Sequence, residues 1–271
     1  MPFVTIDGQP LHFLDQGAGE VVVLGSSYLW DSGMWAPQIA ALSQHYRVIV
    51  PELWGHGQSG PLPETTRSLD DLANQVLALL DHLEIQRFTL VGLSVGGMWG
   101  ARLALAAPER VRGLVLMDTY LGEEPAPTQQ SYFSMLKVIG DAGSIPPPLL
   151  DVIVPIYFRP GVDTQLPFYQ TFRTSLTTWS ADRLRDSIVP MGRLIFARDD
   201  RLAALAGLDA GSTLVMCGEQ DKPRPPSEAR EMAELIGCDY IGIPEAGHIS
   251  SIENPTFVND ALLAFLSKLP A

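Results

Sequence analysis

The stretch Phe88-Thr89-Leu90-Val91-Gly92-Leu93-Ser94-Val95-Gly96-Gly97-Met98-Trp99-Gly100-Ala101-Arg102-Leu103-Ala104-Leu105 decides how this chain is read. A short apolar run of β type meets Gly-x-Ser-x-Gly, and an Ala/Leu-rich helical run follows at once. Strand, sharp turn and helix in that order hold a serine at the tip of the turn, its hydroxyl exposed at the end of a sheet. Gly92 and Gly96 leave the backbone the room such a turn needs, and Gly97 lets the helix approach the sheet. Ser94 is therefore the candidate nucleophile. The amide of Val95 faces the same space from the helix N-terminus, where partial positive charge stabilises a developing oxyanion. A glycine-rich turn with an incidental serine would show the same five residues, so the rest of the chain must decide.

Outward from the turn, strands and helices alternate. Residues 21–24 and 47–50 are continuous apolar runs, as strands covered on both faces should be. Residues 3–6 and 11–14 alternate around Asp7-Gly8-Gln9-Pro10, which predicts an antiparallel hairpin. A helical segment covers about 35–44, and apolar residues from Leu69 to Leu83 recur at helical spacing. Further strands are expected at 113–117, 213–217 and 240–243, and a last helix near Asn254-Pro255. Such alternation predicts an α/β fold with a mostly parallel sheet and helices on both faces. One section breaks the rhythm. Residues 119–193 lack buried strands, carry Pro146-Pro147-Pro148, Pro155, Pro160 and Pro167, and are rich in aromatic residues. They read as a helical cap inserted into a core of residues 1–118 and 194–271, since a connection of that length needs packing of its own.

Composition narrows the function. The net charge of −13 comes without any Lys/Arg cluster, which argues against nucleic-acid or anionic-membrane partners. The N-terminus lacks the basic head and apolar core of a signal peptide, and no apolar run is long enough to span a membrane. Cys217 and Cys238, the only cysteines, lie in apolar segments and read as reduced core thiols of a cytoplasmic protein. Two cysteines alone make no metal site.

A serine is a weak nucleophile until a base takes its proton, and the base needs a third group to orient it. Of five histidines, His12 falls in the hairpin, His45 and His82 near helix ends, and His56 in a Gly-His-Gly turn ahead of the nucleophile. His248, in Pro244-Glu245-Ala246-Gly247-His248, follows a strand and precedes a helix, where a base arises in a Ser…Asp…His order. For the acid, Asp221 closes Gly218-Glu219-Gln220-Asp221 at a strand end, with Asp118 as its rival. Asp199 and Asp200 read as a solvated or capping pair.

With these residues in place, the chain resembles an α/β-hydrolase-fold enzyme over nearly its whole length. The resemblance rests on Gly-Leu-Ser94-Val-Gly-Gly, Gly-Glu-Gln-Asp221, Ala-Gly-His248 and the turn Pro51-Glu52-Leu53-Trp54-Gly55-His56-Gly57-Gln58-Ser59, where the family usually has Asp in place of Glu52. It implies an eight-stranded sheet. Where such enzymes carry His-Gly-X after the third strand, this chain has Gly25-Ser26-Ser27, followed by Met34-Trp35. The 3-oxoadipate enol-lactonases also replace that histidine, with a Ser-Asn-Ser type sequence. That alignment implies an oxyanion hole formed by the amides of Ser27 and Val95.

The expected chemistry is acyl transfer. Ser94 attacks a carbonyl, His248 acts as base and then acid, and Asp221 orients it, with no metal or organic cofactor. The expected partner is a small, largely apolar ester or lactone, with Trp30 and Met98 lining its pocket, and a homodimer stays open. A carbon–carbon bond hydrolase would use the same triad, but those resembling this fold often have Asn where Leu93 precedes the serine. Its extra polar groups would have to come from Lys137, Arg159, Arg173, Arg183 or Arg185. A ligand receptor is the third reading, since fold does not fix function.

Overall fold

The N-terminal hairpin forms from β1 (Phe3–Ile6) and β2 (Gln9–Gln16), which pair antiparallel around Asp7 and Gly8, both at positive φ. That geometry gives the tight turn a hairpin prefers. In the computed structural model, which describes residues 2–270, six further strands join the same sheet. They are β3 (Val21–Gly25), β4 (Arg47–Pro51), β5 (Phe88–Leu93), β6 (Val111–Met117), β7 (Thr213–Gly218) and β8 (Asp239–Ile243). The order is β1-β2-β4-β3-β5-β6-β7-β8, with β2 antiparallel to β4 and every later pair parallel. Both β5 and β7 are buried at every residue, which requires cover on both faces.

The helices that follow the strands supply that cover: α1 (Ala36–Leu42) packs on α11 (Pro255–Leu266), and α2 (Leu69–His82) on α3 (Val95–Ala106). Between β7 and β8 runs α9 (Pro226–Ile236), and α10 (Ser250–Glu253) leads into α11. Buried Arg102 of α3 ties these layers together, pairing with Asp70 of α2 at 2.8 Å and with Asp199 at 2.5 Å. Asp199 is exposed, as expected of a solvated residue, while also pairing with this buried cation; Asp200, exposed as well, accepts the Leu202 amide at 2.8 Å.

Between β6 and β7 the chain leaves the sheet for α4 (Ala126–Ala142), α5 (Pro147–Ile156), α6 (Pro167–Thr177) and α7 (Ala181–Arg183). A π-helical turn, Leu184–Ile188, then runs into α8 (Val189–Phe196). Several of the prolines that punctuate this stretch open its helices, where a missing N–H costs nothing.

The sheet order places the site. The chain passes from β3 outward to β4, then returns to β5 on the other side of β3. Ligands of open α/β sheets bind at such a reversal, outside the carboxyl ends of the strands. The loop after Gly25 and Ser94 both emerge there. Cys217 is buried in β7, whereas Cys238 is only half-buried before β8 and is not the core thiol expected. Among the described residues no helix is long and apolar enough to cross a membrane.

Candidate active site

Ser94 sits between β5 and α3 with φ 57° and ψ −120°, a conformation a side-chain-bearing residue keeps only when its surroundings impose it. Its amide donates to the Met117 carbonyl at 2.9 Å, and its carbonyl accepts the Thr119 hydroxyl at 2.6 Å. The turn closes backbone on backbone: a Cβ on Gly92 would lie 2.3 Å from the Gly96 carbonyl oxygen, and one on Gly96 2.2 Å from that of Gly25. These glycines are fixed by close approach.

His248 lies 3.0 Å from Ser94 Oγ through Nε2 and 2.9 Å from Asp221 Oδ2 through Nδ1. All three residues are buried. The loop carrying His248 is held by Glu253, which accepts the Gly247 amide at 2.7 Å, and by the Ile249 amide, which donates to the Tyr157 carbonyl at 2.9 Å. The other Asp221 oxygen accepts the Arg224 amide at 3.0 Å. Asp118 stands behind this acid, accepting from the Gly218 amide at 2.7 Å and from the Ser250 hydroxyl. Burial, and then the charge of Asp221, push the Asp118 carboxyl well above the usual range. Two adjacent buried carboxyls cannot both ionise cheaply, and the one facing the histidine is Asp221. Asp118, Cys217 and Asp221 present potential metal-ligand atoms within 4.8 Å of one another, but each group already has a hydrogen-bond partner.

The loop after β3 departs from expectation. The Ser27 amide donates to Met34 Sδ at 3.2 Å, and Ser27 does not line the cavity at Ser94. A donor committed to sulfur is a poor oxyanion ligand. The next residue, Tyr28, does line the cavity, and among the described residues its amide has no hydrogen-bond partner. At the cavity, Tyr28 thus stands where Ser27 was expected. Trp30 is also corrected. It stacks on Phe172 with centroids 4.1 Å apart, packs edge-on against Tyr157 and Phe158, and stays out of the Ser94 cavity. Met98 does line that cavity.

Three other side chains hold this loop. His56 Nδ1–H donates to the Trp54 carbonyl at 2.9 Å, leaving Nε2 to accept the Leu29 amide at 3.0 Å. Burial lowers the His56 pKa to about 4, so the ring stays neutral and able to accept. Leu29 itself has φ 70°. The Tyr157 hydroxyl donates to the Tyr28 carbonyl at 3.0 Å, and the Tyr28 hydroxyl to the Ile188 carbonyl at 2.7 Å. Beneath them Glu52 accepts from Ser32 Oγ, the Gln58 amide and His12 Nδ1 at 2.8, 2.6 and 2.8 Å.

A cavity of about 90 Å³ reaches Ser94 and His248, walled mainly by apolar side chains of α4, α5 and α8. None of Lys137, Arg159, Arg173, Arg183 and Arg185 lines it, which removes the polar groups considered for carbon–carbon cleavage. Two arginines that sequence reasoning passed over do line it. Arg198 follows α8, and Arg224 lies three residues beyond Asp221, both against Glu124.

The chain is similar to known proteins in sequence and in fold. The family model described as the alpha/beta hydrolase fold matches residues 14–141. The 3-oxoadipate enol-lactonase 2 of Acinetobacter baylyi is 27% identical over 250 residues, 91% of this chain and 88% of that protein. The solved enol-lactonase from Burkholderia xenovorans LB400 is 27% identical with a TM-score of 0.85, covering 98% of this chain and 100% of that one. A solved hydrolase from Pseudomonas aeruginosa PA01 is 30% identical with a TM-score of 0.82, covering 98% and 97%. With the serine turn, the sheet order and these relatives in agreement, the chain belongs to the alpha/beta hydrolase fold family and is a hydrolase.

Proposed function

We propose that this hydrolase cleaves a small carboxylic ester or lactone through an acyl-enzyme on Ser94. The observation that carries the reading is the unbroken relay from Asp221 Oδ2 through His248 to Ser94 Oγ, opening on the cavity. His248 Nε2 takes the hydroxyl proton as Ser94 attacks the carbonyl, and Asp221 holds the Nδ1 proton and stabilises the imidazolium. The oxyanion would be met by the Tyr28 amide, whose residue lines the cavity, and by the Val95 amide at the first residue of α3, where the helix N-terminus adds its partial charge. His248 returns the proton to the leaving oxygen, and water on the same base releases the acid. In a lactone the leaving oxygen stays tethered to the acyl chain, so the narrow cavity needs no separate exit for it. The enol-lactonase relatives support the lactone branch.

A fluorophosphonate probe should add once to the protein, at Ser94, and not to Ser94→Ala, which should lose at least about a thousandfold in kcat while keeping its Tm. Substantial turnover by purified Ser94→Ala would overturn the assignment. A carbon–carbon hydrolase would label equally, so p-nitrophenyl acetate and γ-butyrolactone are compared with a vinylogous 1,5-diketone; a much higher kcat/KM for the diketone would reverse the reading.

A further inference from the structure

A second cleft, of about 440 Å³, lies between α6 and the loop after β3, and Leu29 is the one residue that lines both it and the Ser94 cavity. One face of α6 forms a wall: Phe168, Thr171, Phe172 and Ser175 follow the i, i+3, i+4, i+7 spacing that brings side chains to one side of a helix. The loop contributes Trp30 and Asp31, and the chain leading into and through α7 contributes Trp179 and Arg183. Phe168, Trp179 and Arg183 are half-buried and Asp31 is exposed, so their side chains are open to an entering molecule.

The charged residues lining this cleft are one of each sign, and neither forms an ion pair among the described residues. Asp31 caps the turn Ser32–Trp35 with one oxygen, Oδ1, which accepts the Gly33 amide at 2.8 Å. That duty leaves Oδ2 without a protein partner among the described residues. Arg183 gives one N–H, from Nη2, to the Gly57 carbonyl at 3.2 Å, and its other guanidinium donors have no acceptor among the described residues. Nearby hydroxyls are already committed: Ser175 Oγ donates to the Phe172 carbonyl and Thr178 Oγ1 to the Ser175 carbonyl, both at 2.7 Å. Recognition thus falls to aromatic rings, one carboxylate and one guanidinium. An anion without a cation would meet Asp31 unpaired, and a cation without an anion would meet Arg183. A ring carrying both charges satisfies every group.

We infer that this cleft is an effector site for a small aromatic zwitterion, of the class of a free aromatic amino acid, whose binding steadies the loop carrying the Tyr28 amide. The walls of the cleft are the supports of that loop. Leu29 follows Tyr28 directly and keeps φ 70°. Trp30 stacks on Phe172 of the facing helix at 4.1 Å. Trp179 meets the His56 ring edge-on at 5.8 Å, and His56 Nε2 takes the Leu29 amide at 3.0 Å. A molecule wedged between these side chains restricts the peptide that aims the Tyr28 amide toward Ser94. Binding in the cleft stands apart from the ester or lactone reading; the coupling rests on that reading only through Ser94 and the Tyr28 amide.

L-Phenylalanine, 3-phenylpropanoate and 2-phenylethylamine share one ring and differ in the charges they carry. Calorimetry on the wild-type protein at pH 7 should show phenylalanine binding once per chain, at least about tenfold more tightly than either singly charged analogue. In Asp31→Asn, which keeps a capping side chain, the advantage over 3-phenylpropanoate should vanish. In Arg183→Gln the advantage over 2-phenylethylamine should vanish. Should a charge variant fail to fold, Thr171→Trp decides, since it fills the cleft from an exposed helix position and should abolish binding. Undiminished binding in Thr171→Trp, equal affinity for the three compounds, or no saturable binding would each overturn the proposal. Coupling is read as the rate at which a fluorophosphonate labels Ser94, which saturating phenylalanine should raise about fivefold in wild type and leave unchanged in Thr171→Trp. Slower labelling would place phenylalanine in the Ser94 cavity and refute the separate site, and an unchanged rate despite binding would refute the effector role. If Ser94 does not label at all, the serine reading fails, while calorimetry still decides the cleft.

Discussion

Side chain by side chain, the proposed relay of Ser94, His248 and Asp221 is distinct from the residues that hold it. Asp221→Asn should cost far more activity than Asp118→Asn, because an amide at 221 favours the wrong His248 tautomer, while Asp118 is already pushed toward its neutral form. Steady-state kcat for the two folded variants checks this, and a larger loss at 118 would contradict the relay. His56 gives a pH prediction. Its pKa falls from 6.5 to about 4 on folding, so between those values the unfolded chain binds a proton that the native protein does not. Stability therefore falls as pH drops from about 6.5 to about 4, by on the order of 3 kcal/mol. Denaturant titrations at pH 7 and pH 4.5 should show this loss shrinking in His56→Gln. Ser94, Asp221 and His248 were legible in the sequence because each ends or follows an apolar strand in a short, distinctive turn. Arg198 and Arg224 were not, because nothing local marks them: Glu124, which gathers them, is 74 and 100 residues away.

Among the elements, the strands and the apolar stripe of α2 were readable from pattern, while α4, α9 and the loop after β3 were not. The loop's register depends on contacts from elsewhere in the chain: Met34 takes the Ser27 amide, His56 the Leu29 amide, and Tyr157 supports the Tyr28 carbonyl. Trp30 misled for the same reason, since an aromatic residue near a cavity reads alike whether it lines the space or packs behind it. The aromatic residues of the inserted helices largely pack on one another, with Trp30 among them. Tyr157→Phe deletes one hydroxyl and leaves the Tyr28 carbonyl without its donor. A stability loss of about 1–2 kcal/mol is expected. Because the same carbonyl steadies the loop, kcat should fall about three- to tenfold with KM little changed. Unchanged kcat in a destabilised protein would show that the Tyr28 loop is held well enough without it.

For the whole molecule, the sheet order dictates when the site can exist. Tyr28, Ser94, Asp221 and His248 come from four separate chain regions, and the neighbours β3 and β5 are joined only after the excursion through β4. Parallel strands cannot pair until such long loops have closed, so topologies of this kind form slowly. Helical signal should therefore recover early after dilution from denaturant, while ester turnover and probe labelling at Ser94 should return only with the slowest phase. Stopped-flow circular dichroism run beside a labelling time course would expose the lag, and coincident recovery would show that no partly built chain precedes the active one. An interrupted fold would already carry most of its helices, yet its serine would have no base to meet.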